Sequence, residues 1–150
     1  MPSSSNYQLF VGVDWATEEH QICVIDPDRQ VIENKPIKHS GPALLELADQ
    51  LSSLAGGNTA SVGVAIETPR GAVVETLIER GFHVYAINPK QLDRFRDRHT
   101  VAGAKDDRLD ALVLADSLRT DQHCFKFVQI DEPLTIQLRE LSRVEDDLRE

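Results

Sequence analysis

The run Leu9-Phe10-Val11-Gly12-Val13-Asp14-Trp15-Ala16 constrains this chain more than any other stretch. Four apolar residues and a glycine lead straight into one carboxylate. An apolar run this short reads as a central strand buried on both faces. A carboxylate carried into a core costs several kcal/mol unless it is paired or binds a metal. Asp14 therefore either ends the strand and turns into solvent, or is one ligand of a metal site. The second reading requires further acids elsewhere in the chain.

With 150 residues, 41% hydrophobic and 27% charged, the chain holds enough core for one globular domain. Its two cysteines, Cys23 and Cys124, form no CxxC pair. That speaks against zinc or a disulfide framework and fits a reducing cytoplasm. No apolar run approaches the roughly 20 residues of a membrane span. The start, Met1-Pro2-Ser3-Ser4-Ser5-Asn6, lacks the basic and apolar regions of a signal peptide. Residues 1–8 are expected to be a disordered tail.

The formal net charge of −9 argues against nucleic acid as a partner, because such binders neutralise phosphates with Lys and Arg. The charge is uneven, however. Between Asn88 and Asp110 lie Lys90, Arg94, Arg96, Arg98, Lys105 and Arg108, against Asp93, Asp97, Asp106, Asp107 and Asp110. If metal takes up some of those acids, the remaining segment is basic. The plainer alternative is a solvated charged face.

Taken in order, Thr17 to His20 reads as a turn, Gln21–Ile25 as a second strand, and Asp26-Pro27-Asp28-Arg29 as turn chemistry. Gln30–Ile37 is a third strand, completing an antiparallel meander. Ser40-Gly41-Pro42 opens a helix with Ser40 as N-cap, and Leu44, Leu47, Leu51 and Leu54 fall on one face. Ser61–Glu67 is a fourth strand, again apolar and again closing on a carboxylate. Ala72–Arg80 is a short helix with Val73, Leu77 and Ile78 inward, and His83–Ile87 is a fifth strand. Strands joined through crossover helices lie parallel. The fold class expected is therefore α/β, a mixed five-stranded sheet flanked by helices.

Pro89–Arg98 reads as helical with Leu92 and Phe95 inward, and His99–Ala104 as a mobile loop. Lys105 to Ala115 is a strong helix with acids in its first turn, where the macrodipole favours them. Asp106 and Asp107 there suit a cap. Asp107 and Asp110, three apart, share a face that continues through Val113, Leu114, Ser117 and Leu118, the side that packs on the sheet. A capping acid belongs on the solvent side, so Asp110 is harder to explain as structure. Phe125–Ile130 is a short extended segment. Leu134, Leu138, Leu141 and Leu148 mark a last helix with heptad-like spacing, a candidate oligomerisation seam. It has no stop signal at Glu150, so a longer protein is expected.

In this topology Asp14 and Glu67 end neighbouring strands, and Asp107 and Asp110 come from a helix laid across them. Converging carboxylates repel, by about 4 kcal/mol for a close pair at an effective dielectric of 20. A divalent cation removes that cost, and oxygen-only ligands favour Mg²⁺ or Mn²⁺ over zinc. Two such ions roughly 4 Å apart activate a nucleophile and stabilise a leaving oxygen in phosphodiester chemistry. The five histidines show no ligand spacing, and there is no Walker motif or GxGxxG.

The strand ending in Asp14, the strand ending in Glu67, Asn88-Pro89 and above all Lys105-Asp106-Asp107-Arg108-Leu109-Asp110-Ala111 resemble the N-terminal domain of the DEDD-type insertion-sequence transposases, a group that includes the pilin-gene-inverting recombinase. The resemblance spans roughly Leu9 to Glu150. It implies a ribonuclease H-like, RuvC-resolvase-like domain over 9–130, with 131–150 beginning a coiled-coil linker helix. It also implies a Mg²⁺-dependent tetrad of Asp14, Glu67, Asp107 and Asp110. Asp106 departs from the family, which commonly has Thr there. Such proteins recombine DNA with the help of a C-terminal serine domain, and some are directed by a structured RNA. The resemblance thus implies DNA, a guide RNA and further copies of the chain as partners, in the cytoplasm of a bacterium or archaeon at the nucleoid. Lys90, Arg94, Arg96, Arg98, Lys105 and Arg108 would be the nucleic-acid contacts. Without the serine domain this stretch should not complete recombination.

Three other readings compete. One is a stand-alone Holliday-junction resolvase or other nuclease on the same fold. Another is a nucleotide-binding lobe of the sugar kinase and actin type, which would need a second lobe. The third is a non-enzymatic nucleic-acid-binding or dimerisation module.

Overall fold

The computed structural model describes residues 7–14, 19–67, 71–99 and 107–128, with the side chains of all of these except 98, 99, 107 and 108. Strands β1 (Leu9–Asp14), β2 (Glu19–Ile25) and β3 (Val31–Lys38) form the expected antiparallel meander. Helix α1 (Gly41–Leu54) carries the chain over to β4 (Val62–Glu67), which lies parallel to β1. Helix α2 (Ala72–Glu79) leads to β5 (His83–Ile87), parallel to β4. Then come α3 (Pro89–His99), α4 (Asp107–Thr120) and β6 (Lys126–Phe127). The sheet order is β3-β2-β1-β4-β5-β6.

The α/β mixed sheet is as the sequence implied, with six strands in place of five. The sixth, β6, pairs antiparallel to β5 through Tyr85↔Phe127 and Ala86↔Lys126. Two residues carry no periodicity, so only the tertiary pairing defines it. Three smaller corrections follow. His20 lies inside β2, 1% exposed, and is not part of a turn. Tyr7 is buried, with its hydroxyl on His83 Nδ1 at 2.8 Å and on the Tyr85 hydroxyl, so the tail ends before it. Leu54 is 42% exposed, off the buried face of α1 that Leu44, Leu47, Ala48 and Leu51 form. The loop expected over His99–Ala104 and the last helix lie outside the described residues, apart from His99, which ends α3.

Alternation in the strands divides the core in two. Leu9, Val11, Val13, Ile22, Val24, Val62, Val64, Ile66 and Val84 face α1 and α2, meeting Leu44, Leu47, Leu51, Val73, Val74 and Leu77. Phe10, Cys23, Ile25, Ala65, Tyr85 and Ile87 face α3 and α4, meeting Leu92, Phe95, Ala111, Leu114, Ala115 and Leu118. Helix α1 starts as expected, with Ser40 Oγ accepting from Ala43 N at 3.2 Å. The edge strand β3 exposes Val31 and Ile32, but Lys35, Pro36 and Lys38 guard it against pairing with another strand.

At Gly12 the backbone of α4 lies close against β1. A Cβ on Gly12 would sit 2.0 Å from Ala111 O and 2.8 Å from Ala115 N. These are backbone atoms and cannot swing aside. A Cβ on Gly63 would meet only side chains, Tyr7 and Leu118, at 3.2–3.3 Å. Gly12→Ala should therefore cost about 3 kcal/mol or more by urea denaturation, near or beyond the upper end of overpacking penalties. Gly63→Ala should cost clearly less. Equal costs at the two positions would show that α4 can ride up without penalty.

A second expectation concerns pH. His20 Nε2 lies 2.9 Å from His39 Nδ1. Burial, and then the His39 charge, lower the pKa of His20 below its ordinary value. The unfolded chain then takes up the proton first, so this contribution to stability is present above about pH 6.5 and is lost as pH falls from there. Burial lowers the pKa of His83 in the same direction. Denaturation free energies measured from pH 7.5 to 5.5 should fall more steeply for the wild type than for His20→Gln. Parallel curves would remove His20 from the account.

Candidate active site

Strand order reverses between β1 and β4. β2 and β3 extend the sheet to one side of β1, and β4, β5 and β6 to the other. In open α/β sheets the carboxyl ends of the strands at such a switch point form the natural ligand crevice. Asp14 and Glu67 close the two strands that flank it. The parallel register runs from Leu9↔Val62 to Val13↔Ile66, and its next step brings Asp14 beside Glu67. Neighbouring strands lie roughly 4.8 Å apart. Both acids are half-buried.

They also share a face. Gly12 faces α4 and Ala65 belongs to the core on that side. Two residues further along each strand, Asp14 and Glu67 point the same way. Helix α4 runs antiparallel to β1: Ala111 lies at Gly12, and Leu118 lies at Gly63, which pairs with Phe10. Going back one turn from Ala111 to Asp107 moves roughly 6 Å along the helix. Going forward from Gly12 to Asp14 moves roughly 7 Å along the strand. The start of α4 is thus carried out to the level of Asp14. The helical pattern is as read from the sequence, with Asp110, Val113, Leu114, Ser117 and Leu118 all buried.

Asp110 is 5% exposed and accepts a hydrogen bond from Arg96 Nε at 2.8 Å. Arg96 comes from α3 and also pairs with Asp93 on its own helix. Burial works against the guanidinium charge, and the bonds to Asp110 and Asp93 outweigh that effect and raise its pKa. Helix α3 itself begins at the carboxyl end of β5, where Asn88 Oδ1 accepts from Gln91 N at 2.9 Å and caps it. Leu92 and Phe95 face inward as expected, while Lys90 and Arg94 stand exposed. Of the basic residues singled out from the sequence, Arg96 is thus committed to acids. Lys105 lies outside the described residues, as do the side chains of Arg98, Arg108 and Asp107.

Gln21 is a neighbour that the sequence reading missed. It pairs with Asp14 across β1 and β2 and is 9% exposed. Its Nε2 donates to Asn34 Oδ1 at 2.6 Å. Gln21 is the last polar residue before the apolar run Ile22–Ile25, and that position equally describes the exposed start of a strand. The cysteines offer no nucleophile on this face: Cys23 is fully buried, and burial pushes its thiol up to about 11.

The donors suit a hard divalent cation in their chemistry, being carboxylates. Among the described residues no three His, Cys, Asp or Glu side chains form a group that could hold a single ion. Asp110 has Arg96 as its partner.

Comparison with known proteins bears on the same stretch. A family model of DEDD transposases of the IS110 group, described as "Transposase", matches residues 11–150. The chain is 51% identical over 140 residues to "Putative transposase y4uE" of Sinorhizobium fredii, covering 93% of this chain and 39% of that protein. It is 34% identical over 139 residues to "Mini-circle putative transposase for IS117" of Streptomyces coelicolor, covering 93% of this chain and 34% of that one. The chain therefore spans well under half the length of these relatives. Among solved structures it is similar to T. thermophilus RuvC in complex with a Holliday junction substrate, with TM-score 0.54 and 13% identity, over 81% of this chain and 100% of that one. The large terminase nuclease of phage G20c gives TM-score 0.51 and 16% identity, over 75% and 82%. The RuvC-like likeness bears on the fold, and the sheet and its flanking helices agree with it.

Proposed function

Because this chain belongs to the DEDD transposase family, we propose that it is the cation-dependent domain that cuts phosphodiester bonds in a DNA transposase. The observation that carries the reading is the placement of Asp14 and Glu67 at adjoining strand ends, on the face over which α4 brings Asp110. Asp14, Glu67, Asp107 and Asp110 are the proposed holders of Mg²⁺ or Mn²⁺. When bound, such ions lower the pKa of water and stabilise a leaving oxygen.

The remaining steps belong to the chain's own residues. The acids gather negative charge at the strand ends and so select a hard cation over a softer one. Lys90 and Arg94, exposed on the helix that starts at the same end of the sheet, draw the DNA backbone towards it. Arg98, Lys105 and Arg108 extend that set. Gln21, held by Asn34, flanks Asp14 on the side away from Glu67.

The relatives are much longer than this chain. A C-terminal serine domain, a coiled-coil linker that joins copies of the chain, and a guide RNA are proposed for the whole protein. So is its work at the nucleoid. Among the described residues no helix is long and apolar enough to cross a membrane. A second reading, a stand-alone resolvase-like nuclease, is favoured by one observation: the chain covers all of the RuvC chain it resembles. Cutting of branched DNA by these 150 residues alone would select it.

Two outcomes are expected. Added Mn²⁺ or Mg²⁺ should raise the melting temperature, by the equivalent of about 2.7 kcal/mol at 100 times the dissociation constant. Asp14→Ala with Glu67→Ala should abolish the shift; a shift that survives in the double variant would overturn the metal reading. DNA binding should weaken steeply with salt, with a slope of roughly −0.9 per neutralised phosphate. Lys90→Glu with Arg94→Glu should lower affinity and flatten that slope without changing stability. Unchanged binding would return the segment to a solvated charged face.

A further inference from the structure

Arg96, expected to contact nucleic acid, is paired in the structure with two carboxylates. Its Nε holds Asp110 Oδ1 at 2.8 Å across the α3–α4 interface, with Asp110 almost wholly buried. Its side chain is 25% exposed and also holds Asp93 on its own helix. A buried carboxylate needs a positive partner, and Asp110 has one without any metal. We propose that Arg96 is the positioning residue for Asp110 and the resident counter-charge with which an incoming cation must share it.

The inference rests on the metal-site reading, but its first half stands on the ion pair alone. Arg96 ties α3, which starts at the carboxyl end of β5, to the part of α4 that lies over the end of β1. That tie fixes where Asp110 sits. It also places a full positive charge against a carboxylate proposed to bind a divalent cation. With Arg96 present, the site keeps its shape without metal and binds metal less tightly. With Arg96 neutral, Asp110 loses its anchor and gains affinity for the ion.

The test uses the 150-residue chain with Arg96→Gln and Arg96→Lys, each also combined with Asp110→Asn. Amide exchange without added metal reads the positioning. Arg96→Gln should speed exchange from Leu109 to Ala115 at least tenfold, and Arg96→Lys should restore much of the protection. Unchanged protection in Arg96→Gln overturns the positioning role. Calorimetric titration with Mn²⁺ alone reads the counter-charge. Arg96→Gln should bind Mn²⁺ at least threefold more tightly than wild type, and the difference should vanish in the Asp110→Asn background. Equal or weaker binding overturns the counter-charge role, as does a gain that persists without Asp110. If the wild type and every variant fail to bind Mn²⁺, the metal-site reading falls together with the counter-charge, while exchange still decides the positioning. If Arg96→Gln does not fold, Arg96→Met, neutral with an aliphatic stem, carries both measurements with the same expected outcomes.

Discussion

The helix α4 lies backbone to backbone against β1 at Gly12, and much of the remaining structure answers to that contact. A residue with a side chain at position 12 would lift the helix, and Ala111 and Ala115 keep the opposing surface low. Seated this deep, α4 is covered from nearly every direction. Ala111, Val113, Leu114, Ala115 and Leu118 are all fully buried, and so are the polar residues between them. Asp110 and Asp116 become core acids because the helix that carries them is sunk into the sheet. Core acids require positive partners, so the arginines of the neighbouring elements follow from the seating of the helix. Ser117 shows the limit of this accommodation: its hydroxyl is buried without a hydrogen-bond partner, a cost of about 1–3 kcal/mol.

The two acids are treated differently. Asp116 is held by Arg29 at 3.0 Å and by Arg119 at 2.8 Å. Arg29 comes from the β2–β3 turn, where it takes the left-handed conformation at φ 66° that few non-glycine residues adopt. Asp26 stabilises that turn by accepting from the backbone of Asp28 and Gln30. This end of α4 is therefore pinned by two charges. Among the described residues, Asp110 at the other end, by the carboxyl ends of β1 and β4, is held by Arg96 from α3, so the two ends of the helix are tied to different neighbours.

Much of this was legible in the sequence wherever local pattern and global position agree. The apolar runs closing on Asp14 and Glu67 identified adjoining strand ends, because a doubly buried strand leaves its first polar residue at the sheet boundary. Ser40 announced the start of α1, and the face running from Asp110 to Leu118 announced how α4 would sit. The signals that failed depend on partners far away in the chain. His20 follows Thr17-Glu18-Glu19 and looks like turn material; in the fold it meets His39, the residue just after β3. Arg96 cannot be told from Arg94 by composition, since only the approach of α3 to α4 gives it Asp110. Tyr7 sits next to a serine-rich tail, yet its ring packs edge-on against Phe10, His83 and Tyr85. Gly12 offered the one unused clue. A glycine in a strand, with two alanines four apart on a later helix, describes the close approach before any coordinates do.

The antiparallel lie of α4 on β1 also sets a timetable. Asp14 and Glu67 are made early and can take their places once β1 and β4 pair. Asp110 reaches the same face only when a helix near the end of the described chain settles over strands laid down long before it. Contacts between such distant segments close late in folding, since the loop entropy must be met before they yield anything. A chain still emerging from the ribosome, synthesised amino terminus first, therefore holds its acids apart. The acids come together only once α4 has settled over β1, so a polypeptide interrupted before Asp110 would lack both that helix and the acid it carries.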